Sequence, residues 1–188
     1  MRLKALARWP SQWLAALRQN WKSHLGTLLM FVLLYVGIHA WQTRGVPSGP
    51  APEFSAPAAG LIAASTPVEL ERWRALYPGQ AVALHFWADW CPICRTEEHS
   101  ISRISRDGPV LTVAMQSGDA ERVQSVLKKR QLDWNTAIDA DGRIAQRYGL
   151  ASVPALVVVD AQGQIRFAEV GYTSEIGMRL RLWWAQTF

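Results

Sequence analysis

"HFWADWCPIC", residues 85–94, carries the only two cysteines of a 188-residue chain. A mostly apolar run, AVALHFW at 81–87, leads into the pair and is preceded by the turn signal Pro78-Gly79. Such a short run between turn signals suits a buried strand. Helix formers follow from Pro92 to about Arg106, where Gly108-Pro109 ends them. Pro92 fits a first helical turn, where its missing N–H costs nothing. The cysteines therefore stand at a strand-to-helix junction. The sulfur of Cys91 is expected at the positive end of a helix dipole, which stabilises a thiolate and takes its pKa below ~8.5, the free value. Cys94, one turn on, is expected deeper and able to resolve a mixed disulfide.

Two cysteines this close can be a staple, part of a metal site or a redox couple. A staple closing so short a loop constrains little of the unfolded chain. A structural zinc site wants about four ligands. His85 and His99 could be added only on paper, since His85 falls in the expected strand. Haem attachment needs His directly after the second Cys, and Arg95 stands there. Redox exchange is the favoured reading. A copper- or other metal-binding module using the same cysteines is the rival from another class.

The net charge of +5 is not a binding face. Residues 1–24 hold Arg2, Lys4, Arg8, Arg18 and Lys22 and no acid, whereas residues 61–188 hold 14 basic and 14 acidic side chains. The electrostatic footprint of a nucleic-acid binder is missing from the domain. Residues 25–41, LGTLLMFVLLYVGIHAW, contain no Asp, Glu, Lys or Arg. Their length is at the lower end of what spans a ~30 Å hydrocarbon layer. Trp21 and Trp41 bracket the run as interfacial rings do, and the basic cluster before it keeps the N-terminus cytoplasmic. A cleaved signal peptide fits less well, because Ile38-His39-Ala40 is a poor A-x-A site and the basic segment is long. Residues 3–21 have a helix-like spacing of Leu and Trp that suits either a helix on the inner leaflet or a solvated tail.

Residues 42–60 hold four prolines, four alanines and three glycines and read as an extended tether. The organisation expected is thus 1–24 cytoplasmic basic segment, 25–41 transmembrane helix, 42–60 tether and 61–188 domain. Within the domain, helices are expected near 68–77, 92–106, 119–130, 143–148 and 174–185. The last would carry Ile176, Leu180 and Trp183 on one apolar stripe. Strands are expected at 81–87, 110–115, 155–159 and 165–170, the last two joined by the hairpin signal at 160–163. Strand alternating with helix argues for an α/β layered domain with a partly parallel sheet.

"FWADWCPIC" at 86–94, with "SVPALVVVDAQGQI" at 152–165, resembles the thioredoxin superfamily over about residues 61–188. The anchor, the Pro-rich segment and the helix after the cysteines are similar to its TlpA/DsbE-like branch, and within it to the membrane-anchored ScsD-type protein disulfide oxidoreductases. The resemblance implies a thioredoxin fold, a central mixed sheet flanked by helices, behind a single N-terminal transmembrane helix. It implies a protein disulfide oxidoreductase at the inner membrane, its catalytic domain in the periplasm, with links to copper tolerance or cytochrome c maturation. Partners would be extracytoplasmic protein thiols and disulfides, a membrane redox protein that recycles the pair, and the lipid bilayer, but no nucleic acid. No cofactor beyond the Cys91–Cys94 disulfide, and no metal, is implied. Cys91 would be the nucleophile and Cys94 the resolving thiol, with Pro92 and Ile93 between them tuning the pair. Pro154 would be a cis-proline facing the sulfurs, with Val153 offering backbone groups to a peptide. Trp90 would be an exposed ring beside the site, and Glu97 a carboxylate that tunes the cysteines. His85 departs from the Asn or Asp that relatives often place six residues before the first Cys. It is read as a satisfied core histidine or as a proton relay.

Overall fold

In the computed structural model, residues 21–62 and 66–188 are described. Most of the basic segment, 1–20, lies outside them. Helix α1 (Trp21–Thr43) has none of its residues buried. It is the one helix among the described residues long and apolar enough to cross a membrane. Its 23 residues rise ~35 Å at ~1.5 Å each, sufficient for the hydrocarbon layer.

From Gln42 onward the chain forms a separate compact unit. Its strands are β1 (Gly49–Pro50), β2 (Ser55–Ala56), β3 (Ala58–Gly60), β4 (Val68–Glu69), β5 (Val82–Trp87), β6 (Val110–Met115), β7 (Asn135–Asp139), β8 (Ala155–Val159) and β9 (Gln164–Val170). Its helices are α2 (Leu70–Ala75), α3 (Pro92–Asp107), α4 (Ala120–Arg130), α5 (Arg143–Arg147) and α6 (Glu175–Thr187). The main sheet has the order β1-β9-β8-β5-β6-β7-β3, and β2 pairs with β4. Strands β5, β6 and β7 are parallel, while β8, β9, β3 and β1 join antiparallel. This is the thioredoxin-like α/β arrangement expected.

Strand β5 lies between β6 and β8 and is buried along its whole length. Val82, Leu84 and Phe86 enter one core with Leu70 and Trp73 of α2 and Ile144 and Ala145 of α5. Ala83 and Trp87 enter the other with Ile101 and Ile104 of α3, Val123 and Leu127 of α4, and Met178 and Ala185 of α6. The alternation of side chains across a strand produces this split. A strand covered on both faces must be apolar nearly throughout, which is why β5 was legible.

The segment 42–60 is not a free tether. It supplies β1, β2 and β3, and Ala51, Phe54, Ala56, Ala58 and Ala59 are buried. Its prolines and glycines are compatible with short edge strands, where a missing N–H need not break a ladder. Its alanines permit close approach to β7: Ala58 pairs with Ala137, and the Pro57 carbonyl accepts from Ile138 N–H at 2.9 Å. Tyr148 donates its hydroxyl to the Pro52 carbonyl at 2.9 Å. Gly149, at φ +66°, lies so close to Gly45 that a Cβ there would fall 1.8 Å from the Gly45 carbonyl oxygen. Only glycine fits that crossing.

Three further expectations are corrected. Residues 68–69 form β4, so α2 begins only at Leu70. Strand β7 had no apolar run to announce it. Its polar residues are satisfied inside the fold: Thr136 and Thr112 hydroxyls pair at 2.8 Å, and the Asp139 carboxylate caps α5 through Ile144 and Ala145 N–H, both at 2.9 Å. Helix α6 turns Ile176, Leu180 and Trp183 outward and buries Met178 and Ala185. Arg103 and Arg179 on Glu175, and the Gln186 side chain accepting from Ala81 N–H at 2.7 Å, fix that rotation.

Phe54 packs edge-on to Tyr148, their ring centroids 6.4 Å apart. If residues 42–60 are part of the folded unit, Phe54→Ala costs about 3–5 kcal/mol, the range for deleting a buried ring. Denaturant unfolding of the chain in detergent measures it. A cost below ~1 kcal/mol would return the segment to a passive connector.

Candidate active site

The site forms where β5 ends. Ala88 and Asp89 turn the chain, and Cys91 becomes the N-cap of α3 with Pro92 in its first turn. The Cys91 sulfur accepts the backbone N–H of Cys94 at 3.2 Å. This gives an orphan helix N–H a partner, and a thiolate would accept it more strongly than a thiol. Both cysteines are free thiols and both are buried, at 3% and 2% exposure. The expectation that Cys94 lies deeper than Cys91 meets only a slight difference in exposure. The exposed groups are their neighbours, Trp90 at 57% and Ile93 at 50%.

The Val153–Pro154 peptide bond is cis. Its loop faces the cysteines: the Val153 carbonyl lies 3.6 Å from the Cys91 sulfur, whose S–H donates to it. The Pro154 carbonyl accepts Gly171 N–H at 2.8 Å. The adjacent Tyr172 is exposed. Trp90 is held by its indole N–H, which donates to the Gln116 carbonyl at 3.1 Å. Gln116 has φ +48°, a left-handed turn at the end of β6.

Beneath this surface are two ionisable side chains, each 1% exposed: His85 of β5 and Glu97 of α3. His85 Nε2 and Glu97 Oε2 are 3.1 Å apart, and the other carboxylate oxygen accepts the Thr173 backbone N–H. Among the described residues His85 Nδ1 is buried without a partner, so the core histidine is satisfied on one ring nitrogen only. Glu97 stands three residues after Cys94 on the buried face of α3. The Cys94 thiol is pushed far above its ordinary pKa, first by burial, then by its interactions with Cys91, and also by the negative charge of Glu97.

The structure also assembles groups that the sequence reading did not select. Asp89 is held by Arg122 at 2.7 Å through its carboxylate and by Arg130 at 2.8 Å through its carbonyl, while its N–H donates to the Ser117 hydroxyl at 3.0 Å. Arg130 in turn pairs with Glu98 of α3 at 2.7 Å. These contacts clamp the 88–91 turn between α3 and α4. No local spacing announces them, because the partners lie 28 to 41 residues from Asp89. Thr173 acts through its backbone and carries no side-chain signal at all.

Two outcomes follow from this geometry. Brief iodoacetamide treatment of the reduced chain near neutral pH should label Cys91 before Cys94, read by mass spectrometry, because Cys94 is held protonated. Replacing Glu97 by Gln removes a negative charge that opposes the Cys94 thiolate, so the Cys94 pKa should fall. The ultraviolet absorbance of the thiolates during a pH titration measures this, and an unchanged Cys94 titration would place Glu97 outside the site.

Residues 47–168 match the model of the AhpC/TSA family. A thiol:disulfide interchange protein DsbE of Allochromatium vinosum is 31% identical over 150 residues, covering 77% of this chain and 79% of that protein. A thioredoxin-like protein of Haemophilus influenzae is 31% identical over 106 residues, covering 56% of this chain but only 63% of that protein. The solved structure of a secreted Mycobacterium tuberculosis disulfide oxidoreductase homologous to Escherichia coli DsbE superposes with a TM-score of 0.54 at 28% identity, over 69% of this chain and 93% of that one. With a cysteine at the N-cap of α3, a cis-proline loop against it and this sheet order, the chain belongs to the thioredoxin-like AhpC/TSA family, among its DsbE-type thiol:disulfide oxidoreductases.

Proposed function

We propose that this protein is held in the inner membrane by α1 and exchanges electrons between its Cys91–Cys94 pair and the thiols and disulfides of proteins outside the cytoplasm. The observation that carries this reading is the Cys91 sulfur facing the Val153 carbonyl, at 3.6 Å, within a rim of exposed Trp90, Ile93 and Tyr172. An apolar rim around a backbone acceptor suits an extended peptide bearing a sulfur.

The exchange runs in two steps and is reversible. The Cys91 thiolate attacks one sulfur of a partner disulfide, forming a mixed disulfide and releasing the other partner sulfur as a thiolate. Cys94 then loses its proton and attacks the Cys91 sulfur. The Cys91–Cys94 disulfide forms and the second partner thiolate leaves. The partner gains two electrons and the pair loses two. The pair itself is the electron carrier in this reading, and a membrane redox protein returns it to its starting state.

The basic residues before Leu25 support an N-in, C-out topology with the domain in the periplasm, an oxidising compartment. Service in copper tolerance or cytochrome c maturation is the finer reading, supported by the resemblance of the anchored architecture. Among the described residues no three His, Cys, Asp or Glu side chains gather as a metal site, so no observation favours the metal-binding module.

Cys91→Ser should abolish turnover of insulin disulfides. Cys94→Ser should still attack and then stall as a mixed disulfide, which non-reducing electrophoresis captures together with the partner. Turnover retained in Cys91→Ser would overturn the assignment of roles. A periplasm-dependent reporter fused after Phe188 should be active, and activity of a cytoplasm-only reporter there would refute the orientation.

A further inference from the structure

The turn that leaves β5 is held from below by a hydroxyl that no step of the exchange uses. The Ala88–Asp89 peptide is a planar unit with one polar group on each edge. On one edge the Ala88 carbonyl accepts the Cys91 N–H at 3.2 Å. On the other the Asp89 N–H donates to the Ser117 hydroxyl at 3.0 Å. That hydroxyl in turn donates to the Met115 carbonyl at 3.0 Å, where β6 ends. Ser117 is therefore tied to the sheet, and the Cys91 N–H is joined to it across a single rigid plane. Ala88, Asp89, Cys91 and Ser117 are all buried, so a lost bond here is not replaced by water.

Ala88 also reaches the second cysteine. Its backbone hydrogen-bonds the Cys94 sulfur and favours the thiolate, which marks the Ala88 N–H as the donor. Burial, Cys91 and Glu97 all oppose that thiolate. One residue thus holds the backbone of the first cysteine with its carbonyl and the sulfur of the second with its N–H. Neither bond needs a side chain.

We propose that Ser117 is a positioning residue for the release step: its hydroxyl fixes the Ala88–Asp89 peptide, and so keeps the Ala88 N–H on the Cys94 sulfur as that sulfur turns on Cys91. The inference rests on the disulfide-exchange reading above. In that step the Cys94 S–H bond breaks and its proton passes to solvent. The electron pair left on the Cys94 sulfur forms the bond to Cys91, and the electrons of the mixed disulfide bond leave on the partner sulfur. Ser117 touches none of these atoms and acts only through the peptide it holds.

Attack is supported by other contacts. The Cys91 sulfur accepts the Cys94 N–H and faces the Val153 carbonyl, and neither bond involves the loop between β6 and α4. That loop is shaped around the turn. Gln116 accepts the Trp90 indole N–H through its carbonyl. Gly118, at φ +89°, leaves room for Arg122, since a Cβ there would fall 2.5 Å from the Arg122 Cδ. Arg122 then reaches the Asp89 carboxylate, and Arg130 the Asp89 carbonyl. The two arginines of α4 thus hold the outer groups of Asp89, and Ser117 holds the N–H that belongs to the peptide touching Cys91.

Dithiobis(nitrobenzoate), a symmetrical disulfide that yields a coloured thiolate, separates the two steps. Rapid mixing with the reduced full chain, in detergent, should free one thiolate in a phase whose rate rises with reagent concentration. A second should follow in a phase independent of that concentration. Ser117→Ala should slow the second phase about fivefold to tenfold, the worth of one hydrogen bond, and leave the first within about twofold of the wild type. A second phase at the wild-type rate, or equal slowing of both phases, would overturn the proposal. The second measurement needs no variant. In the reduced wild-type chain the Ala88 and Asp89 amides should exchange hydrogen as slowly as those of β5. Exchange of the Asp89 amide at the rate of an exposed loop would overturn it. A wild-type chain that stops after one thiolate would overturn disulfide exchange itself, a result distinct from a Ser117→Ala chain that completes both phases at wild-type rates.

Discussion

Cys91 takes part in two structures at once. It closes the turn that leaves β5, and its sulfur occupies the acceptor position that starts α3. One hydrogen bond, from Cys94 N–H to that sulfur, ties the Cys91 side chain to the first turn of the helix. The layering of the domain serves this junction. Strand β5 is covered on both faces, so its end cannot shift without disturbing both cores. Helix α3 is held by α6 through Arg103 and Glu175 and by α4 through Glu98 and Arg130. The turn between strand and helix is clamped by Asp89. The Cys91 sulfur is therefore fixed from below, from the side and from behind, with the Val153 carbonyl across from it.

The polarity of the site is arranged in depth. Its outer ring is Trp90, Ile93 and Tyr172, large and mostly apolar, which suits proteins rather than small polar solutes. The middle layer is sulfur and backbone: the two cysteines, the Val153 carbonyl and the helix N–H groups. The deepest layer is ionisable, His85 against Glu97. In the proposed exchange, contact with the partner falls to the outer ring and bond exchange to the middle layer. The deep layer bears on Cys94 more than on the attacking sulfur, because Glu97 lies on the helix face that Cys94 shares.

Much of this was legible in the sequence where a local rule was at work. An apolar run against a Cys-Pro pair marks a doubly buried strand and a helix start, because both signals act over a few residues. Val153-Pro154 before a Val-rich run marks the facing loop in the same way. The failures share a cause. Residues 42–60 read as a tether because Pro, Gly and Ala have little power to build a core by themselves. Here they border one that other residues build, with Phe54 as the only large side chain inserted. Strand β7 was missed because its polar residues are satisfied by Thr112 and by the start of α5, partners that no periodicity records. In α6 two candidate stripes compete, and the choice between them is made by ion pairs to α3 and a hydrogen bond to residue 81. The Asp89 clamp is of the same kind, since its partners come from two other segments.

The loop at 171–173 joins what the layers separate. Gly171 bonds the cis-proline loop, Tyr172 lies on the outer ring, and Thr173 bonds the buried carboxylate. Three consecutive residues thus bond the cis-proline loop, stand in the exposed rim and hold the buried carboxylate. The exposed rim and the buried carboxylate share one stretch of backbone and are not independently adjustable. A substitution at Tyr172 that shifted this backbone would also shift the Thr173 N–H on Glu97, so a change at the surface of the domain would be felt in its core.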